Sequence, residues 1–196
     1  MSVLAITEQR DGNFRKITYE VLSEGRKLAD GLGSELTALV VGAGVEGIAS
    51  DLGKFGADTI MVAEHDNLGE YLTDVYTNVV AEIVKKVDPQ VISIGASSQG
   101  IDLAARLSAR LDAGLAMDCV AIRVDGENVI ATRPLYGGKV QAEIAISGKP
   151  QIIATRPNAM SIQETAKAGT IEKTDVDPGD SQLQFVEKTL ETGKVE

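Results

Sequence analysis

From Val3 to Gly114 the sequence alternates short apolar runs with longer segments whose apolar residues recur at helical spacing. The runs are Val3–Ile6, "ELTALVVG", "TIMVAE" and "QVISIG". The first helical segment carries Ile17, Val21, Leu22, Leu28 and Leu32 and stops at glycines. The clearest one carries Leu72, Val75, Tyr76, Val79, Val80, Ile83, Val84 and Val87, a continuous face, with Lys85 and Lys86 suiting its C-terminal dipole and Pro89 ending it. A third, "ASSQGIDLAARLSARLDAG", opens in a polar turn, starts near Gly100 or Ile101 and ends near Gly114. Between "ELTALVVG" and "TIMVAE" only a short helix fits, weakened by Gly47 and Gly53. Strand and helix repeated in this way predict an α/β fold: a doubly wound, mainly parallel, Rossmann-like sheet with right-handed crossovers. Aromatic residues are 4% of the chain and Trp is absent, so the core is aliphatic, as buried parallel strands require.

After Gly114 the pattern changes. Strand-like stretches are separated by Asp125-Gly126 and Gly137-Gly138, both hairpin turn sequences, so an antiparallel hairpin is appended to the parallel sheet. Two copies of "ATRP" (Ala131 to Pro134, Ala154 to Pro157) each read as an Arg closing an apolar strand before a Pro that breaks it. Their guanidiniums, leaving neighbouring strands, are expected either to reach an anion or partner carboxylate, or to pair with the chain's own acids. Beyond Pro157 the sequence turns polar and reads as an extended segment or linker. "LQFVEKTLE" is a last strand or a short helix, and "TGKVE" shows no packed end. The expected organisation is an α/β domain over 1–160 and a linker over 161–196.

Composition excludes several chemistries. The 196 residues carry a net charge of −10, which gives phosphate-backbone binding no electrostatic support, so no nucleic-acid partner is expected. One Cys (Cys119, in an apolar run) and one His (His65, in the polar turn "EHDN") rule out a disulfide framework and multi-Cys or His-rich metal sites. No apolar stretch is long enough for a transmembrane helix, and the N-terminus resembles neither a signal nor a transit peptide, so a cytoplasmic protein without membrane insertion is expected. Neither a P-loop nor a G-x-S-x-G elbow occurs, and no catalytic residue or metal site can be assigned.

Two glycine-containing turns remain as nucleotide candidates. Gly42, Gly44 and Gly47 stand in G-x-G-x-x-G spacing, with Glu64 at the distance of a ribose-binding acid. They follow the second strand rather than the first, and Gly53 and Gly56 interrupt the helix behind them. A plain strand-to-helix turn is the alternative. The other candidate is the turn after "QVISIG", where Gly95, Ser97, Ser98 and Gly100 lie at the carboxyl end of a parallel strand, the usual ligand position. Ser and Gln there also serve as helix caps without a ligand, and Asp102 at the helix start would repel a phosphate.

The order of motifs resembles the alpha subunit of electron transfer flavoprotein. The family's G-x-D-L-A-x-R-L-x-A-x-L helix is matched by Gly100, Asp102, Leu103, Ala104, Arg106, Leu107, Ala109 and Leu111. Its G-L-x-x-D connection is matched by Gly114, Leu115 and Asp118. Its R-P-x-Y-x-G-K segment is matched by Arg133, Pro134, Tyr136, Gly138 and Lys139, and its later R-P strand end by Arg156 and Pro157. The resemblance implies an adenine nucleotide alpha hydrolase-like variant of the fold. It also implies a platform that pairs with a beta subunit in a heterodimer carrying electrons from flavin dehydrogenases, such as acyl-CoA dehydrogenases, through FAD. The family's main FAD site lies in a C-terminal domain opening with a V-x-S-G-G-R-G-like segment, which this sequence does not contain. No FAD-binding residue is therefore assigned, and AMP or a second FAD is expected in the beta subunit. The chain reads as an electron carrier's domain rather than a classical enzyme. The alternatives are an NAD-binding oxidoreductase domain using Gly42, Gly44 and Gly47, or a stand-alone adenine-nucleotide-binding protein.

Overall fold

The computed structural model describes residues 2–126, 128–165 and 167–189. The chain opens with β1 (Ser2–Ile6), a small ribbon of β2 (Gln9–Arg10) and β3 (Asn13–Phe14), and α1 (Lys16–Gly31). It continues through β4 (Glu35–Gly42), α2 (Glu46–Ala49), β5 (Thr59–Glu64), α3 (Thr73–Val87), β6 (Val91–Gly95), α4 (Ser98–Leu111) and β7 (Leu115–Cys119). Three strands follow, β8 (Ala121–Asp125), β9 (Asn128–Leu135) and β10 (Val140–Ala145), then β11 (Gln151–Thr155) and β12 (Thr170–Thr174). The main sheet has the order β12-β5-β4-β1-β6-β11-β7, and every pairing in it is parallel. The α/β, doubly wound reading of the sequence is what the chain adopts.

Alternation along each strand feeds two aliphatic cores. Val3 and Ala5 of β1, Leu36, Ala38 and Val40 of β4, and Val91 of β6 face α1 and the turns after β4. Leu4, Ile6, Leu39, Val41, Ile92 and Ile94 face α3 and α4. Successive side chains of a strand point to opposite faces, and both faces are covered here, which is why these strands read as unbroken apolar runs. The chain builds outward from β1 to β4 and β5, then crosses to β6 on the other side of β1. The strand order therefore reverses between β1 and β6, the switch point at which this class of sheet forms its crevice.

The expected antiparallel hairpin is a three-stranded sheet, β10-β9-β8, because both turn sequences are used. Its inner face delivers Val129 and Ala131 to the α1-side core. The excursion leaves from β7, and its return strand β11 enters between β6 and β7. All five residues of β11 are buried, as befits a strand paired on both sides. Pro134 does not break its strand, contrary to the sequence reading. β9 continues to Leu135, because β8 ends opposite Thr132 and leaves the Pro134 nitrogen without a ladder partner to satisfy. Helix α4 begins at Ser98, earlier than the expected Gly100 or Ile101, because the Ser97 hydroxyl caps it by accepting the Gly100 N–H at 3.0 Å.

Residues 158–165 run along the outer side of α1. The Asn158 N–H donates to Glu20 Oε2 at 2.8 Å, the Gln163 N–H to Ser23 Oγ at 2.9 Å, and the Thr165 N–H to the Lys54 carbonyl at 2.7 Å. Glu20, which accepts from this segment, is buried, and Glu24 on the same helix is buried too. Arg26, also buried, bridges Asp58 at 2.6 Å, the Gly56 carbonyl and the Ser34 carbonyl, and Asp58 also receives Lys167. The crossing is close: a Cβ on Gly53 would lie 2.2 Å from the Ala168 carbonyl oxygen. From the sequence this stretch is a linker beyond the body. Its residues 170–174 instead form the edge strand β12 against β5, and Lys173 is paired with Glu46 at 2.7 Å. Of "LQFVEKTLE", Leu183 to Thr189 form neither strand nor helix. Its last two residues and "TGKVE" lie outside the described residues.

Candidate functional site

The carboxyl ends of β1 and β6 meet at the switch point, and there the chain places its own anion. Glu8, two residues past β1, is buried. Its Oε2 accepts the Ser97 hydroxyl at 2.5 Å and its Oε1 accepts Arg15 NH1 at 2.9 Å. Its backbone is fixed as well: the Glu8 N–H donates to Thr18 Oγ1 at 2.8 Å, and that hydroxyl donates back to the Glu8 carbonyl at 2.7 Å. Ser97 is the N-cap of α4, so the Glu8 carboxylate lies at a helix N-terminus, where a ligand phosphate would otherwise be stabilised. The cavity beneath it, lined by Ile6, Thr7, Ile17, Gly95, Gly100 and their neighbours, is about 10 Å³, room for roughly one water, and a more open one of about 200 Å³ lies outside it against Gln9, Asp11, Tyr71 and Gln99.

The glycines of this turn serve packing. A Cβ on Gly100 would lie 1.8 Å from the Gly95 carbonyl oxygen, and one on Gly95 would lie 2.2 Å from Ile17 Cγ1. Helix α4 thus approaches β6 backbone to backbone. Asp102, one turn into α4, accepts the Tyr71 hydroxyl at 2.8 Å. Burial and that neighbouring carboxylate push the Tyr71 phenol well above its ordinary range.

The glycine fingerprint has a different use. Gly42 ends β4 and Gly44 takes the left-handed conformation, so the chain turns sharply into α2. That helix has only four residues before a 3-10 turn over Ser50–Lys54. A Cβ on Gly47 would meet nothing within 4 Å, so this glycine does not permit the close helix–sheet contact that the third glycine of a dinucleotide site provides. Glu64 accepts the Val45 N–H at 2.7 Å, which occupies a donor a pyrophosphate would use. Gly42, Gly44, Gly47 and Glu64 are brought together as a self-satisfied turn.

The two "ATRP" arginines converge. Asp118 sits at a bulge in β7 with φ +63, where the pairing with β11 shifts register. Arg156, just past β11, grips it with Nε to Oδ1 at 2.7 Å and NH2 to Oδ2 at 2.6 Å. That bidentate bond holds the Asp118 carboxyl below its usual range against burial, and the charge of nearby Arg133 adds to the effect. Arg133 Nε is itself buried without a hydrogen-bond partner. The adjacent Cys119 is fully buried, and burial pushes its thiol up to about 11. His65 caps the turn after β5, its Nδ1 accepting the Asn67 N–H at 3.1 Å. Among the described residues no group of three or more His, Cys, Asp and Glu side chains could hold a metal ion. Among them too, no helix is long and apolar enough to cross a membrane.

Fold and site together define a doubly wound sheet whose switch point is closed by an internal carboxylate. Residues 3–179 match the electron transfer flavoprotein domain. The chain is 40% identical over 191 residues to Protein FixB of Clostridium saccharobutylicum, covering 96% of this chain and 54% of that protein. It is 39% identical over 158 residues to the electron transfer flavoprotein subunit alpha of Clostridium acetobutylicum, covering 79% and 47% respectively. With the subunit alpha of Bacillus subtilis the figure is 36% over 194 residues, covering 97% and 58%. The chain belongs to the electron transfer flavoprotein family. It spans about half the length of the curated relatives it matches.

Glu8 and Arg15 were not singled out in the sequence. Their only signal was position: Glu8 follows the first strand of a parallel sheet, where ligands or their substitutes gather.

Proposed function

We propose that this chain is the N-terminal α/β platform of an electron transfer flavoprotein alpha subunit. It pairs with a beta subunit in a cytoplasmic heterodimer that carries electrons from flavin dehydrogenases, such as acyl-CoA dehydrogenases, to downstream acceptors through FAD. One observation carries the reading: the Glu8 carboxylate, bonded to Ser97 and Arg15, fills the place where a doubly wound sheet takes a ligand's phosphate. A sheet closed in this way is suited to scaffolding rather than cofactor binding. In this reading FAD is held mainly by a flavin domain that the linker over 161–196 leads toward, and AMP or a second FAD sits in the beta subunit. The body over 1–160 is the platform, with β12 added to its edge.

The test mixes the purified chain with the electron transfer flavoprotein beta subunit of the same genome and follows sedimentation velocity, with flavin absorbance read across the boundary. A one-to-one complex in which the chain contributes no flavin is expected. Failure to associate, or stoichiometric flavin in the isolated chain, would overturn the proposal.

A further inference from the structure

The cavity of about 200 Å³ adjoins the closed switch point, and Gln99, in the first turn of α4, lines both it and the smaller cavity beneath Glu8. In an open parallel sheet ligands gather here, beyond the carboxyl ends of the strands beside the switch in strand order. Three separate elements wall the cavity: the β2–β3 ribbon with Gln9, Arg10 and Asp11, the approach to α3 with Glu70 and Tyr71, and α4. Lys188 joins them from far along the chain and pairs with Asp11 at 3.4 Å.

The aromatic wall is fixed. The Tyr76 hydroxyl donates to the Leu68 carbonyl at 3.0 Å and the Tyr71 hydroxyl to Asp102 at 2.8 Å. The two rings meet edge to face, with centroids 4.9 Å apart. The charged groups are not all spent in this way. Among the described residues Arg10 and Glu70 make no ion pair and no side-chain hydrogen bond, and neither does the Gln99 amide. A cavity that offers a free guanidinium and a free carboxylate from different elements suits a ligand that carries both charges. Arg10, Lys188, Asp11 and Glu70 sum to no net charge, and Asp102 adds a further negative one beside them, so a phosphate is disfavoured. The volume is below the roughly 300–1,000 Å³ of sites for drug-sized ligands, which leaves room for a molecule of amino-acid size.

We propose that this cavity binds a small zwitterion, an α-amino acid with an amide side chain. Its carboxylate accepts from Arg10 and its ammonium donates to Glu70, so that two charges on one carbon bridge two groups that do not pair directly. Its side-chain amide meets the amides of Gln9 and Gln99, each able to donate and accept. The site belongs to this chain alone and does not depend on the pairing proposed above.

The test titrates the isolated chain calorimetrically with L-glutamine, with L-glutaminamide, which lacks the carboxylate, and with N-acetyl-L-glutamine, which lacks the ammonium. One-to-one binding of L-glutamine is expected, with each blocked analogue weaker by about 10-fold. Arg10→Gln is expected to weaken L-glutamine about 10-fold and to leave L-glutaminamide unchanged. Glu70→Gln is expected to weaken L-glutamine by the same factor and to leave N-acetyl-L-glutamine unchanged. Both side chains are exposed, and circular dichroism confirms that each variant is folded. No binding heat with L-glutamine would overturn the proposal. Equal affinity for the three ligands would overturn the zwitterion, and L-glutamine binding unaltered by both substitutions would overturn the site.

Discussion

Replacing Gly100 by Ala pits a local gain against a tertiary cost. In a helix interior Ala is favoured over Gly by about 1 kcal/mol. The added Cβ, however, would lie 1.8 Å from the Gly95 carbonyl oxygen, where ordinary contact begins at 3.4 Å. Neither partner is a flexible side chain, so α4 must retreat from β6. It is held there by the Ser97–Glu8 bond and by the buried Leu103, Ala104 and Leu107. A retreat of even about 0.5–1 Å forfeits a quarter to a half of the dispersion contact across the gap. Overpacking against backbone costs about 3 kcal/mol, which leaves a net loss of about 2 kcal/mol. For a chain of this size that lowers the melting temperature by about 4–8 °C. Gly47→Ala is the control. Its Cβ meets nothing within 4 Å, and a melting temperature unchanged or raised by about 2 °C is expected. Thermal melts of both variants, followed by circular dichroism, decide the matter. A Gly100→Ala protein as stable as the unaltered chain would refute the close approach of α4 to β6, and with it the geometry of the closed switch point.

Two further predictions follow from the titrating groups. Asp58, Asp74 and Asp118 all have folded-state pKa values below their ordinary ones. A carboxyl depressed in this way contributes stability that is fully present above its unfolded pKa, near 3.9, and lost as pH falls through the folded value. The melting temperature is therefore expected to drop steeply below about pH 4. Asp118→Asn, which keeps a side chain tolerant of the left-handed backbone, is expected to be less stable at neutral pH and to show a shallower acid slope; an unchanged slope would contradict this. Cys119, with its thiol pushed up to about 11 by burial, is expected to resist an aromatic disulfide reagent in the native protein at about pH 8 and to react fully in denaturant.

What the sequence disclosed was local. The strands "ELTALVVG" and "TIMVAE" have the bounds the residues suggest, because an apolar run between glycines and polar turns has few other uses in an α/β chain. The turns at Asp125-Gly126 and Gly137-Gly138 were legible for the same reason. Long-range order was not. Nothing in "PQIIATRP" says that it enters between β6 and β7, since that slot exists only once the antiparallel excursion has folded. The burial of Glu20 could not be read locally, because the Asn158 N–H that it accepts comes from a segment about 140 residues away. The pairing of Arg156 with Asp118 was open as one alternative for the "ATRP" arginines, but their convergence on one bulge needed the register shift between β7 and β11. Glu8 was invisible because a lone acid after a strand is common, and its role depends on Ser97 and Arg15 arriving from separate elements.

The closed switch point is the centre of this account, and it is tested most directly by calorimetric titration of the isolated chain with AMP, NAD and FAD in turn. No binding heat with any of the three is the predicted result, because the Glu8 carboxylate occupies the α4 N-terminus. Stoichiometric binding of any one of them, abolished by substitution at Ser97 or Gly100, would contradict it.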